Sequence, residues 1–467
     1  WEESADYSIW SATLCRFRKV QSPKGRNPNG WGDCEAALCG WISLNFALLD
    51  FGLSSAMLRI RPFTAVRPQP NHAAQVASVP YDVVNTAEAR ELASGFPHSF
   101  LHVVRSEIDL PADIDPYDAR VYAKSRESLE HFIKEGVLVR EPEPRMFLYR
   151  QVMNHVTQIG LVCCCNIDDY INNVIKKHEK TRKDKEDDRT RHVLELNAHA
   201  EPVFLTYRDV PEIDELVHND TNSRPLFHFV AKDKVTHTVW AVRNPQMYIN
   251  AFEKVPGVPA AYIADGHHRT ASAVRAGADL RKSRGKGATG EHEWFLSVLF
   301  PASQLHIMAY NRVVKDLKSL SPREFLLELA DVGKVSAAGD PRPPRAGSVC
   351  VYVNGSWNLL EFDPTSIEVN DPIGSLDVSL LQDRVLGPIL GIGDIRTDKR
   401  VDFVGGIRGT SELERRVNSG EMAVAFSMFP TTVNQLMAVS DTGNIMPPKS
   451  TWFEPKLRSG LFVHMLD

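Results

Sequence analysis

The sequence predicts a mixed α/β protein of the α+β class, and three observations carry that expectation. Apolar runs of strand length stand at 145–153 (RMFLYRQVM) and 158–165 (QIGLVCCC). An amphipathic helical pattern fills 117–136 and ends at Gly136. The third observation is the stretch 260–276, AAYIADGHHRTASAVRA. There an apolar strand-like run ends in Asp265-Gly266, and His267-His268-Arg269 open an alanine-rich helical segment.

The elements follow in chain order. Residues 1–56 begin at Trp1 and carry four of the eight Trp and three of the seven Cys, so they read as an atypical N-terminal extension. They lack the Arg- and Ser-rich, acid-poor pattern of a clear transit peptide. An α/β region is expected over 57–335. It starts with Met57 and LRIRPFTAVRP, and Asn85 with Glu88 makes a capping box for the helix EARELASG at 88–95. Further strands are expected at 202–207, 227–233, 237–242, 293–301 and 305–314. The stretch 337–346, AAGDPRPPRA, reads as a proline-rich linker to a second α/β region over 348–467. That region should hold a hairpin turning at Asn354-Gly355 and a helical stretch at 375–390. A strand with a glycine turn at 402–409, a helix capped by Thr410 or Ser411, a strand at 421–429 and a helix before the NIMPPKST stretch complete it.

Composition narrows the class of function. The 467 residues are 43% hydrophobic and 24% charged, as in an ordinary globular protein of two or three domains. A net charge of -5 and a pI near 6.4 give no basic footprint for nucleic acid. No apolar run approaches the roughly 18 residues of a membrane span. The seven cysteines lack paired CxxC spacing, and Cys163, Cys164 and Cys165 are adjacent on an expected strand. Adjacent cysteines of this kind do not bridge one another, so free thiols in a reducing, cytoplasmic setting are expected, and zinc is not. Residues 1–56 leave organellar targeting open.

Three stretches carry groups suited to chemistry. At the first, Gly266 allows close backbone approach, and the start of the following helix offers unpaired amides and positive dipole to an anion. Asp265 adds a carboxylate for a metal or an ammonium. The plain alternative is a strand-to-helix turn with solvated histidines. At the second, His178-Glu179 precede a run of mixed charge to His192, where a solvated helix face is the alternative. A Glu beside a desolvated phosphate site can take a proton from an attacking hydroxyl. The third, PPKSTWFEPKLRSG at 447–460, sets Lys449, Ser450 and Thr451 behind two prolines, with Lys456 and Arg458 following. Such groups hold phosphate oxygens, or else cap a structured loop. No P-loop, dinucleotide fingerprint or nucleophile elbow occurs.

These motifs carry a family resemblance. PYDVVNTAEAR, RHVLELNAHAEPVFLTYR, YIADGHHRTASA, DFVGGIRGT and MPPKSTWFEPKLRSGLF resemble the DUF1015 family, a domain of unknown function, from Met57 to the C-terminus. More remotely, the chain is similar to the free serine kinases of the ParB/sulfiredoxin-like fold. Their DGHHR matches Asp265 to Arg269, their upstream His-Glu is similar to His178-Glu179, and their Pro-Lys-Thr-Thr matches Pro448 to Thr451. The resemblance implies a ParB/sulfiredoxin-like core with an additional α/β C-terminal domain. It also implies phosphoryl transfer between a nucleotide, ADP or ATP, and free L-serine or O-phosphoserine, with Mg²⁺ and in either direction.

In that reading Glu179, Asp265 and His268 are catalytic. Gly266, His267, Arg269 and Thr270 hold the nucleotide, and Lys449, Ser450, Thr451 and Arg458 hold substrate or phosphate. Two departures stand out: His-Glu lies farther from DGHHR here, and Trp452-Phe453 replace an Arg-His pair. Two other readings share the same pocket: a phosphoserine phosphatase and a non-catalytic ParB-like nucleotide-binding regulator. The phosphotransferase reading expects a small-molecule substrate and a nucleotide as partners, with neither nucleic acid nor membrane.

Overall fold

The computed structural model of the chain describes residues 57–254, 257–285 and 289–467. The extension expected at 1–56, with Cys15, Cys34 and Cys39, lies outside the described residues.

Strand-forming runs between 60 and 301 assemble one nine-stranded mixed sheet. Its order is Ile175–Lys176, Ala261–Asp265, Val203–Tyr207, Trp294–Pro301, Val156–Asn166, Phe147–Met153, Thr236–Ala241 and Phe227–Val230, with Ile60–Arg61 also paired to Val156–Asn166. The central strands read as continuous apolar runs because both faces are covered. Along Val156–Asn166, Cys163 and Cys165 face one core while Cys164 faces the other. All three thiols are buried and free. Burial pushes the Cys163 and Cys164 thiols well above their ordinary value, which suits packing and not reactivity.

A six-stranded antiparallel sheet forms the second layer group, in the order Gly333–Ala337, Ser356–Phe362, Ser348–Val353, Val424–Met428, Tyr310–Val314, Val401–Gly405. The Asn354-Gly355 hairpin is present, both residues having positive φ. The proline-rich stretch 337–346 joins two strands of this sheet. A smaller four-stranded sheet runs Leu138–Arg140, Ala65–Pro68, Val463–Met465, Ala198–His199. Its third strand comes from the end of the sequence and pairs with two much earlier segments.

The α+β class is therefore what the chain adopts. The Asn85–Glu88 capping box opens the helix Thr86–Ala93, and the amphipathic stretch folds as Ala119–Lys134. Three readings need correction. The run 305–314 is two strands: His306–Met308 pairs with Trp452–Glu454, whereas Tyr310–Val314 enters the six-stranded sheet. Gly406 packs into the break, where a Cβ would lie 2.6 Å from the Ala309 carbonyl oxygen. The helix Gly409–Asn418 starts without a side-chain cap from Thr410 or Ser411. The helical stretch after Leu376 is α only over Asp377–Leu381, then widens into a π-helical segment at Gln382–Leu386.

Among the helices, His267–Arg284 matters most for function. Its buried face is built from Ala271, Ser272, Ala273, Ala276 and Gly277, small residues that let it settle close to its neighbours. A Cβ on Gly277 would sit 2.3 Å from the His292 carbonyl oxygen. Gly277→Ala is therefore expected to destabilise the protein by about 1–3 kcal/mol. Urea unfolding measures this, and an unchanged midpoint would mean that the helix can move away from His292 at no cost.

Candidate functional site

The strand Ala261–Asp265 ends at Asp265, and Gly266 turns the chain with φ of 88° before the helix His267–Arg284. A Cβ at Gly266 would lie 2.9 Å from the Arg269 Nε, so both conformation and space call for glycine. The first amides of the helix have no carbonyl partner within it and point out of its N-terminus. That end opens on a cavity of about 960 Å³, at the upper end of the range for ligand pockets.

Three sequence-distant motifs meet there. Glu179, Asp265, Gly266, His267, His268, Lys449 and Thr451 all line the cavity. Seven lining residues are Lys or Arg against three that are Asp or Glu, so the cavity favours an anionic occupant. Arg269, Thr270, Ser450 and Arg458 lie outside its walls. Arg269 is buried and donates to the Pro202 carbonyl at 2.7 Å and to Asp265 at 2.6 Å. Thr270 bonds back to the Gly266 carbonyl, and the Ser450 hydroxyl to that of Pro447. Arg458 reaches away to Asp233 and His237, where His237 also meets the Tyr149 hydroxyl.

The charges around the helix start are ordered. Asp265 is held between Arg269 and Lys456, the latter at 3.2 Å. Burial works to raise its carboxyl, but Lys456 and Arg269 hold it well below the usual carboxylate range. Both its oxygens are thus engaged within the protein. Glu179 sits in the loop ahead of the helix Lys183–Leu196, with Oε2 3.9 Å from His267 Nδ1. Burial raises its carboxyl, against the pull of Lys449 and with Asp265 and Asp82 adding to the rise. Burial works to lower the Lys449 ammonium, yet Tyr310 and Glu179 bring it above its ordinary value.

The histidines are neutral donors and acceptors. His178 and His267 are buried and meet edge to face, ring centroids 4.5 Å apart. Burial takes His178 down to about 4 and His267 well below its ordinary value. His268 Nε2 accepts the Arg182 amide at 3.0 Å, which leaves the proton on Nδ1. His178 also ties the motifs together: its carbonyl accepts the Met446 amide, and its Nε2 lies 3.5 Å from the Thr451 hydroxyl.

Sequence reasoning missed part of the wall. Tyr81 and Asp82 line the cavity beside the helix start. Tyr81 is buried under the Arg189 guanidinium, its carbonyl takes a bond from Arg105, and its amide meets Glu201. The Asp82 carboxylate faces Arg269 at 3.9 Å. The cavity is also lined by Tyr310 and Phe403, on paired strands of the six-stranded sheet, by Arg396 from the loop ahead of Val401–Gly405, and by Trp452. The last of these, Trp452, lies on Gly405, at the end of an outer strand of that sheet. The PYDVV stretch was a legible signal for Asp82; no local pattern marks Tyr310 or Phe403.

The chain belongs to the family described as a protein of unknown function, DUF1015, whose model matches residues 60–379. Among solved structures it is similar to a free serine kinase in complex with AMP, with a TM-score of 0.33 and 12% identity over 66% of this chain and 91% of that one. It is similar as well to a conserved hypothetical protein from Pyrococcus furiosus, with TM-score 0.31 and 13% identity over 66% and 95% of the two chains. A third is SbnI with C-terminal truncation from Staphylococcus aureus, with TM-score 0.35 and 11% identity over 65% and 87%. No curated protein matches the sequence. No helix among the described residues is long and apolar enough to cross a membrane.

The neutral histidines imply a pH dependence. Unfolded imidazoles titrate near their ordinary value of 6.5, whereas His178 stays neutral down to about 4 when folded. Below about pH 6.5 the unfolded chain takes up protons that the folded chain refuses, so stability present above that pH is lost progressively toward about pH 4. The thermal midpoint should fall between about pH 7 and about pH 5, and fall less steeply in His178→Gln. A midpoint flat across that window in the unaltered protein would mean that these rings are not held neutral.

Proposed function

We propose that the protein is a phosphotransferase that moves a phosphoryl group between a nucleotide, ADP or ATP, and the hydroxyl of free L-serine, in either direction. The observation that carries this reading is the meeting of Glu179, the Gly266–His268 helix start and Lys449–Thr451 at one cation-rich cavity. Phosphoryl transfer asks a protein for positioning and charge neutralisation, and these groups supply both. The choice of serine rests on the motif resemblance.

The amides at the start of the helix, with Lys180, Arg182 and Lys185 on the same cavity wall, would hold the nucleotide phosphates. Glu179 would take the proton from the acceptor hydroxyl as its oxygen attacks phosphorus and the bond to the nucleotide oxygen breaks. Its carboxyl, raised by burial, makes it a stronger base than an exposed Glu. Lys449, beside Glu179, would neutralise the transferring group, and Thr451 would donate to it. Asp265, engaged by Lys456 and Arg269, would keep those cations and the helix start in register.

Magnesium would enter with the nucleotide as part of the substrate. No group of three His, Cys, Asp or Glu side chains among the described residues forms a cage for a metal. Mg²⁺ usually takes only one or two carboxylates besides phosphate and water, which Asp82 or Glu179 could supply.

Phosphorus NMR on the full chain with Mg²⁺, serine and either ADP or ATP tests this. Nucleotide-dependent formation of O-phosphoserine is expected, reduced by roughly 100-fold or more in Glu179→Gln. Lys449→Met should weaken nucleotide turnover without unfolding the protein. Phosphate release from O-phosphoserine without nucleotide would instead make the protein a phosphatase, and bound but unchanged nucleotide would favour the regulator.

A further inference from the structure

Arg312 is among the largest fully buried side chains in the protein, with 1% of its surface exposed. A guanidinium so placed normally has a carboxylate beside it, because an uncompensated buried charge is costly. Among the described residues none lies within ion-pair distance. Its partners are two backbone carbonyls, those of Tyr310 and Lys449, the latter at 3.1 Å, and the Phe403 ring with its centroid 5.6 Å away. Two carbonyl dipoles take up two of its five N–H groups but do not cancel its net charge. Burial brings the group down to about 10, so it remains charged at neutral pH.

Each partner of Arg312 belongs to the cavity wall. Tyr310 and Arg312 are alternate residues of one strand and share a face, Tyr310 lining the cavity and Arg312 lying behind it. Lys449 has a φ of 58°, a left-handed conformation that costs a non-glycine residue free energy unless its surroundings hold it there. Its ammonium lies 5.6 Å from the Tyr310 ring centroid. One arm of the Arg312 fork grips the carbonyl of Lys449 and the other that of Tyr310, so the guanidinium fastens the lysine loop to the six-stranded sheet.

We infer that Arg312 is a positioning residue for anion binding: it holds Lys449 toward the cavity from behind, and its own buried charge is balanced when the cavity holds a phosphate-bearing ligand. The inference rests on reading the cavity as a phosphate site and extends that reading to a residue that never touches the ligand. It explains why a cation without a carboxylate is kept in the interior. Arg312 then adds its charge from behind the wall to the cations that line the cavity.

The test is calorimetric titration of the full chain, unaltered and as Arg312→Met and Arg312→Lys, with ADP and separately with inorganic phosphate. Arg312→Met should bind both probes about tenfold more weakly or worse. Arg312→Lys keeps the charge but loses the two-carbonyl fork, so it should recover only part of the affinity. If Arg312→Met fails to fold, Arg312→Lys decides the matter. A purely structural Arg312 would lower the unliganded melting temperature and leave both affinities intact, and that result would overturn the inference. Phosphate binding that depends on Arg312, without any binding of ADP, would remove the nucleotide reading and leave the inference standing. If neither probe bound the unaltered protein, the inference would fall too.

Discussion

A carboxylate withdrawn from water needs cations close by, and Asp265 draws its two from different parts of the chain. Arg269 comes from the first turn of the helix that Asp265 precedes, and Lys456 from the segment almost two hundred residues later. The first pair fixes how the helix leaves the strand. The second brings the Lys449–Thr451 loop to the same place. Either cation left alone would be expensive in a site only about a quarter exposed at the carboxylate, so the three groups stabilise one another and must be present together. Glu179, His178 and the lysine loop are arranged around this knot, and the shape of the cavity depends on it.

Behind the knot, buried polar groups brace the side chains that line the cavity. His178 accepts a backbone amide from Met446 and approaches Thr451, so the loop carrying Glu179 and the loop carrying Lys449 are joined at two points. Arg189 stacks on Tyr81, and Arg105 bonds its carbonyl, which sets Asp82 at the rim. The site is thus made of short polar segments at the ends of apolar strands, each braced by a buried polar side chain from another element.

Much of this was legible in the sequence because the demands are local. A strand ending in Asp-Gly before an alanine-rich helix can be read from composition, and so can a capping box at Asn85 or a turn at Asn354-Gly355. What escaped reading depends on distant partners. Arg269 and Arg458 look like ligands for phosphate in a linear motif, yet Arg269 is committed to Asp265 and Arg458 to Asp233. Tyr310 and Phe403 look like ordinary core aromatics and become wall residues only because their sheet packs beside the first. The split of 305–314 between two sheets is likewise set by the strands that come to pair with each half, which periodicity does not reveal.

The strand Val463–Met465 sits in the interior of its small sheet, between Ala65–Pro68 and Ala198–His199. During synthesis its two neighbours emerge from the ribosome long before it does. Until it arrives they face each other across a missing strand, with unpaired amides and carbonyls along both edges. The segment that fills this gap is continuous with the one that carries Lys449 and Lys456. A nascent chain therefore holds the helix start and Glu179 for almost two hundred residues before it holds every part of the cavity wall. The closing of the small sheet and the completion of the pocket are, for this chain, nearly the same event in time.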